Sequence, residues 1–265
     1  MDGSKYEALK VETAGRVTTI TFNRPEARNS VNEQLHHELS EIWTDVDIDA
    51  ETDVIVLQGS GGSFCAGGDL KYLLGKVGDP VRLISGNRGN RRITDTILTV
   101  EKPIIAKVDG PAIGLGCSLA LFCDFVYATE RSTFADPHVK VGLVAGDGGA
   151  LLWPQLIGYM RARRYLLTGD ALTAKEAADM GLITQSVSDA AERDAVADAM
   201  VQRMLTGAKF AIQFTKASIN AGLRQTASAI VDRSAAFEAI SQVTADYKGA
   251  LESFVAKEQP VFEGR

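Results

Sequence analysis

The sequence predicts an α/β fold built mostly on parallel strands, followed by a helical C-terminal region. Three observations carry that expectation. Short apolar runs alternate with helical patterns through the first two thirds of the chain, glycine-rich turns follow the strands, and the last third is nearly all helical in pattern. The alternation of strand and helix is what a parallel sheet with crossover helices requires.

The elements follow in order. Gly15 to Phe22 (GRVTTITF) places Val17, Ile20 and Phe22 among threonines, a β-branched strand signature, and Asn23-Arg24-Pro25 ends it. Leu35, Leu39, Ile42, Trp43 and Val46 recur at helical spacing between Asn32 and Asp47. Asp53 to Leu57 (DVIVL) is an apolar run of the kind a strand shows when both its faces are buried. Gly59-Ser60-Gly61-Gly62 turns the chain into Phe64-Cys65-Ala66-Gly67-Gly68-Asp69 and a short helix through Leu74. Pro103 to Val108 (PIIAKV) is a second buried strand, and Asp109-Gly110-Pro111 turns it. Gly114-Leu115-Gly116 then opens an apolar helix, Cys117 to Phe122, and Asp124 to Ala128 (DFVYA) returns as a strand. No convincing strand is expected after Leu182-Ile183. Phe210, Phe214, Ala217 and Ala221 share one helix face, and Phe237, Ile240, Tyr247, Leu251 and Phe254 continue the apolar theme. These helices are expected to pack on the α/β core, and on a neighbouring subunit if the chain is oligomeric.

Composition narrows the function. The chain has 265 residues, 45% of them hydrophobic and 23% charged, an ordinary globular composition. With 28 Lys+Arg against 34 Asp+Glu the net charge is −6, which argues against a nucleic-acid-binding role, since such proteins leave a basic footprint. The polar start lacks the apolar core of a secretion signal, and no apolar run is long enough to span a membrane. Cys65, Cys117 and Cys123 lack metal-type spacing and suit a reducing compartment. A cytoplasmic enzyme is therefore expected. With only His36, His37 and His138, no histidine-rich metal site is expected. Gly114-Leu115-Gly116 begins like a dinucleotide fingerprint, but position 119 is Leu.

Two glycine-rich turns placed where a strand gives way to a helix can each present free N–H groups. Brought together, they would offer two donors to one oxygen, as an oxyanion hole does. Taken singly, either could be an ordinary strand–helix turn.

At this point the chain resembles the crotonase family, the enoyl-CoA hydratase/isomerase superfamily. The resemblance rests on Ile20-Thr21-Phe22-Asn23-Arg24-Pro25 with Asn29, on Phe64 to Leu70, and on Gly110-Pro111-Ala112-Ile113-Gly114-Leu115-Gly116-Cys117. It continues in Ala171 to Ala177, Met180-Gly181-Leu182 and the closing Pro260 to Arg265. It implies a spiral of ββα repeats over residues 1–205, carrying the acyl-CoA site. A helical region over 206–265 would serve oligomerisation and cover the active site, in a homotrimer or a hexamer formed as a dimer of trimers. It implies an acyl-CoA substrate in fatty acid metabolism, with coenzyme A arriving as part of the substrate and no separate cofactor or metal. By motif position, the oxyanion donors fall at Gly68 and Leu115. Contacts to CoA fall at Ala27, Arg28, Ala66, Asp69 and Leu70, with Asp69 equally placed to cap a helix.

The acid/base positions depart from the family pattern. The two glutamates of the hydratases fall here at Ser118 and His138. Asp147, between Gly146 and Gly148, is one replacement; some isomerases and dehalogenases of the family place an aspartate in this turn, and it could equally be a helix cap. His138 is the second, as a general acid/base or as a packing residue. Ser118 would be a polar helper, because a helical serine without a neighbouring base is a poor nucleophile. Hydration of an enoyl-CoA is the expected reaction. Isomerisation by the single base Asp147, hydrolysis of a CoA thioester or carbon–carbon bond, and an RNA-binding role without catalysis stand as alternatives. Arg82, Arg88, Arg91 and Arg92 read either as CoA phosphate contacts or as a solvated face.

Overall fold

The computed structural model describes residues 3–265. β1 (Leu9–Ala14) and β2 (Val17–Phe22) form an antiparallel hairpin. Helix α1 (Glu33–Ile48) starts at Asn32, whose side chain accepts a hydrogen bond from the Leu35 N–H. β3 (Val54–Gly59) follows, then the short α2 (Leu70–Leu74) and α3 (Pro80–Ile97), then β4 (Ile104–Val108), β5 (Pro111–Ile113) and α4 (Leu115–Leu121). The next unit repeats that order with β6 (Phe125–Thr129), β7 (Thr133–Ala135) and α5 (Gly149–Ile157). After α6 (Tyr159–Thr168) come β8 (Leu172–Thr173), α7 (Ala174–Asp179) and β9 (Gln185–Val187). Three helices close the chain: α8 (Ala190–Thr206), α9 (Lys209–Ser241) and α10 (Ala245–Ala256).

The main sheet has the order β1-β2-β3-β4-β6-β9, parallel throughout except for the first hairpin, and β5-β7-β8 form a second, smaller sheet. β4 with β5, and then β6 with β7, each place one strand in each sheet, which builds the spiral. The central strands are buried on both faces. Ile55 and Leu57 of β3 join the large core with Leu39, Trp43 and Phe64, while Val54 and Val56 pack with Ile105 and Tyr127 against Ala197 and Val201 of α8. Leu143, Tyr247 and Leu251 form a third cluster that ties α10 to Leu70 and Leu73 of α2.

Two expectations need correction. A strand, β1, precedes Gly15, and another, β9, follows Ile183. Both are edge strands with few buried residues, so neither needs a run of apolar side chains. The aromatic face foreseen in the C-terminal helices also divides. Tyr247 and Leu251 are buried, but Phe210, Phe214, Phe237 and Ile240 are exposed, and the Phe210 and Phe214 rings stack on each other.

Candidate functional site

The two glycine-rich turns do meet. A parallel bridge joins Cys65 to Ala112, with the Cys65 N–H donating to Pro111 O at 2.9 Å and the Ile113 N–H donating to Cys65 O at 3.0 Å. Gly116 makes this approach possible, because a Cβ there would lie 2.7 Å from Cys65 O and 2.6 Å from Cys65 Cβ. The bridge sets Gly68, just before α2, beside Leu115, the first residue of α4. Neither N–H meets an acceptor among the described residues, and both residues line one cavity of about 300 Å³.

The cavity wall is apolar at Val31, Leu73, Ile113, Leu143 and Phe254. Its polar lining comes from widely separated segments. On one wall Asp147 and His138 stand together. His138 Nδ1 is bonded to Asp136 Oδ1, and His138 Nε2 lies 3.3 Å from Asp147 Oδ2. Ser118 Oγ donates to Asp147 Oδ1 at 3.2 Å. Burial by itself would lower the His138 pKa, but the carboxylates on either side hold it well above the ordinary imidazole value. Both ring nitrogens face carboxylate acceptors, an environment that favours the imidazolium form of His138. Gly149 leaves room for the far oxygen of Asp136, which a Cβ there would meet at 1.8 Å.

This geometry separates the readings open from the sequence. Asp147 is not the cap of α5; that position is Gly148, and no side chain caps the helix. Ser118 is buried behind Asp147 and does not line the cavity. Asp136, Asp147 and His138 offer donor atoms within 4.8 Å of one another, and the imidazolium supplies the cation between the two carboxylates.

Of the residues expected to meet CoA, Ala66 and Leu70 line the cavity. Arg28 O accepts from the Ala66 N–H at 3.1 Å, which brings the half-buried Ala27 and the exposed Arg28 alongside. Asp69 caps α2 through the Lys71 and Tyr72 N–H groups and lies 3.3 Å from Arg24. Arg82 and Arg91 form ion pairs with Glu33 and Asp95, so this part of the arginine cluster is a solvated, paired face. Cys65 and Cys117 are buried, and burial pushes the Cys65 thiol up to about 12, so neither is placed as a nucleophile.

Sequence reasoning missed Asp136, His36, Lys76, Asn90, Gln242 and above all Glu238. Asp136 reads as a turn residue before Pro137. Glu238 comes from α9, far along the chain, yet it is 4% exposed and lines the same cavity as Asp147. Its Oε1 accepts from Gln242 Nε2 at 3.3 Å and from Asn90 Nδ2 at 3.5 Å. The local signal for it is a lone carboxylate in the otherwise apolar run Ala235-Ala236-Phe237-Glu238-Ala239-Ile240.

A family model described as enoyl-CoA hydratase/isomerase matches residues 12–265. A 1,2-epoxyphenylacetyl-CoA isomerase of Escherichia coli (strain K12) is 32% identical over 94% of this chain and 95% of its own length. A crotonyl-CoA hydratase of Syntrophomonas wolfei is 30% identical over 97% of this chain and 98% of its own. Among solved structures, an enoyl-CoA hydratase/isomerase from Mycobacterium paratuberculosis superposes with a TM-score of 0.89 at 36% identity, covering 93% of this chain and 98% of that one.

Proposed function

The chain belongs to the enoyl-CoA hydratase/isomerase family and is an acyl-CoA enzyme, and from that premise we propose how its own residues perform the chemistry. The thioester oxygen sits between the N–H groups of Gly68 and Leu115. Charge that develops there as an enolate forms meets two fixed donors, each worth on the order of 10²–10³ in rate. The observation that carries this reading is the pair of unaccepted amides facing a cavity that also holds Asp147. Asp147 is the base. Ser118 orients it from behind, and the His138 imidazolium, held by Asp136, fixes its other oxygen. His138 thus acts as a charged positioning group rather than as a free base, because neither ring nitrogen has a lone pair to offer.

The reaction we assign is hydration of an enoyl-CoA, water being delivered by Asp147. Isomerisation is the second reading, favoured by a single carboxylate on this wall, since one base can shuttle one proton. The CoA portion runs past Ala27, Arg28, Ala66, Asp69 and Leu70, and no separate cofactor takes part. We further place the enzyme in the cytoplasm, in fatty acid metabolism, as a homotrimer or a dimer of trimers. The exposed Phe210, Phe214, Phe237 and Ile240 support self-association through α9. Among the described residues no helix is long and apolar enough to cross a membrane.

Turnover of short enoyl-CoAs in H₂¹⁸O and in D₂O tests the assignment. ¹⁸O in the acyl chain of an intact thioester identifies hydration; deuterium with a moved double bond and no ¹⁸O identifies isomerisation. Asp147→Asn is expected to lower either rate by about 10²–10⁴-fold with CoA binding kept. A variant that retains full turnover would remove Asp147 from the chemistry.

A further inference from the structure

Hydration takes a proton from water and must place one on carbon, yet the Asp147 wall presents a base and its fixed partners. A second carboxyl group, Glu238 of α9, lines the same cavity. Glu238 has one oxygen engaged and one not: Oε2 is fully buried and has no partner among the described residues. That free oxygen lies against Gly146, where a Cβ would come within 2.3 Å of it, so it abuts the turn that carries Asp147. Its other oxygen is fixed from behind. His36 Nε2 lies 2.6 Å from Asn90 Oδ1, which leaves the Asn90 amide nitrogen to face Glu238 Oε1. Three side chains, His36, Asn90 and Gln242, thus fix one oxygen of a carboxyl group that lines the cavity, while its free oxygen packs against the turn that carries Asp147.

We propose that Glu238 is a further catalytic residue, the acid that delivers a proton to the acyl carbon in the cavity it shares with Asp147. The inference rests on the acyl-CoA reading above. Burial first, and then the negative charge of Asp147, raise the Glu238 pKa to about 7, so near neutral pH a large fraction carries its proton. The charged and titratable groups around it are Lys76 after α2, His36 of α1, His138 and Asp136 beyond β7, Asp147, and Tyr247 of α10. The step balances as follows. Asp147 takes one proton from water, and the hydroxyl oxygen bonds to C3 of the enoyl group. The π electrons move to the thioester oxygen held by Gly68 and Leu115. As the enolate collapses, the O–H bond of the Glu238 carboxyl group breaks and its proton goes to C2. The proton on Asp147 then returns to Glu238 through water in the emptied cavity, leaving both groups as they began. Asp147 has Ser118 and His138 on its two oxygens, whereas Glu238 keeps one oxygen without a partner among the described residues.

The experiment compares the wild type, Glu238→Gln and Glu238→Asp on crotonyl-CoA between about pH 5 and 9, with C2 deuterium incorporation from D₂O. Binding of the saturated thioester butyryl-CoA is measured by calorimetry. Glu238→Gln is expected to bind butyryl-CoA within about threefold of wild type. It should lose hydration and C2 labelling by about 10²-fold or more, together with the pH limb near 7. Glu238→Asp should keep part of the rate and a displaced limb. If Glu238→Gln does not fold, Glu238→Asp carries the test, and a wild-type rate with an unmoved limb overturns the proposal. Glu238→Gln turnover within about threefold of wild type overturns it as well, as does a loss of butyryl-CoA binding equal to the loss of turnover. A wild type that neither binds nor converts any acyl-CoA would overturn the acyl-CoA reading, and this proposal with it.

Discussion

Replacing Glu238 by Gln should make the fold more stable at alkaline pH, although it removes a carboxyl group from the interior. The sign follows from proton linkage. The folded-state pKa, about 7, lies above the ordinary 4.5 because burial and Asp147 disfavour the charged form. Between those two values the folded chain holds a proton that the unfolded chain has released. Stability therefore falls as pH rises through that window. The contribution is fully present below about 4.5 and is lost above about 7. At about 1.4 kcal/mol per pH unit, the interval amounts to about 3 kcal/mol. Glutamine cannot ionise, and its carbonyl oxygen can take the place of Oε1 beside Asn90 and Gln242. The two proteins should unfold at similar urea concentrations near pH 4.5. By pH 8 Glu238→Gln should be the more stable by about 3 kcal/mol. Urea unfolding followed by circular dichroism, at one fixed protein concentration so that association does not intrude, measures the difference at each pH. A difference that stays constant from pH 4.5 to 8 would refute the reasoning, because it would mean that Glu238 ionises in the folded chain as it does in the unfolded one.

Further outcomes follow from packing and pairing. Gly116→Ala places a Cβ 2.7 Å from the backbone oxygen of Cys65, which cannot swing aside as a side chain could. It should cost about 2–3 kcal/mol and loosen the pairing of the two N–H turns, and unfolding within about 0.5 kcal/mol of wild type would show that the approach is less tight. Lys216 is buried at the base of α9, where Nζ donates to Lys102 O and to Asp124 Oδ2, both at 2.7 Å. Lys216→Met leaves Asp124, which is solvent-exposed, with the Ile104 N–H as its remaining partner, and strips Lys102 O of its donor; it should cost about 1–2 kcal/mol, and denaturant unfolding without measurable loss would count against those contacts.

What the sequence made visible depended on where each piece sits. β3 and β4 stand out because both faces are covered, so nearly every residue is apolar. β1 and β9 hide because an edge strand needs pairing more than apolar surface. That Gly68 and Leu115 line one cavity was legible through the motifs of the family resemblance, because glycines mark both turns where the chain approaches itself closely. Asp147, His138 and Ser118 were each visible, but that they form one linked array with Asp136 depends on distances no spacing records.

Glu238 is the instructive miss, because α9 inverts the usual pattern at this point. Phe237 is 53% exposed and Ile240 62% exposed, while the glutamate between them is 4% exposed. An isolated soluble helix would be arranged the other way, with its apolar side turned inward. Both halves of the inversion have a physical reason only together. The carboxyl group faces inward because, in the role proposed above, it delivers a proton into the cavity. The apolar side chains face outward because, on the assembly proposed above, a neighbouring copy covers them. On those two proposals, the helix that lines the acyl cavity through Glu238 is also the helix that a second copy of the chain covers.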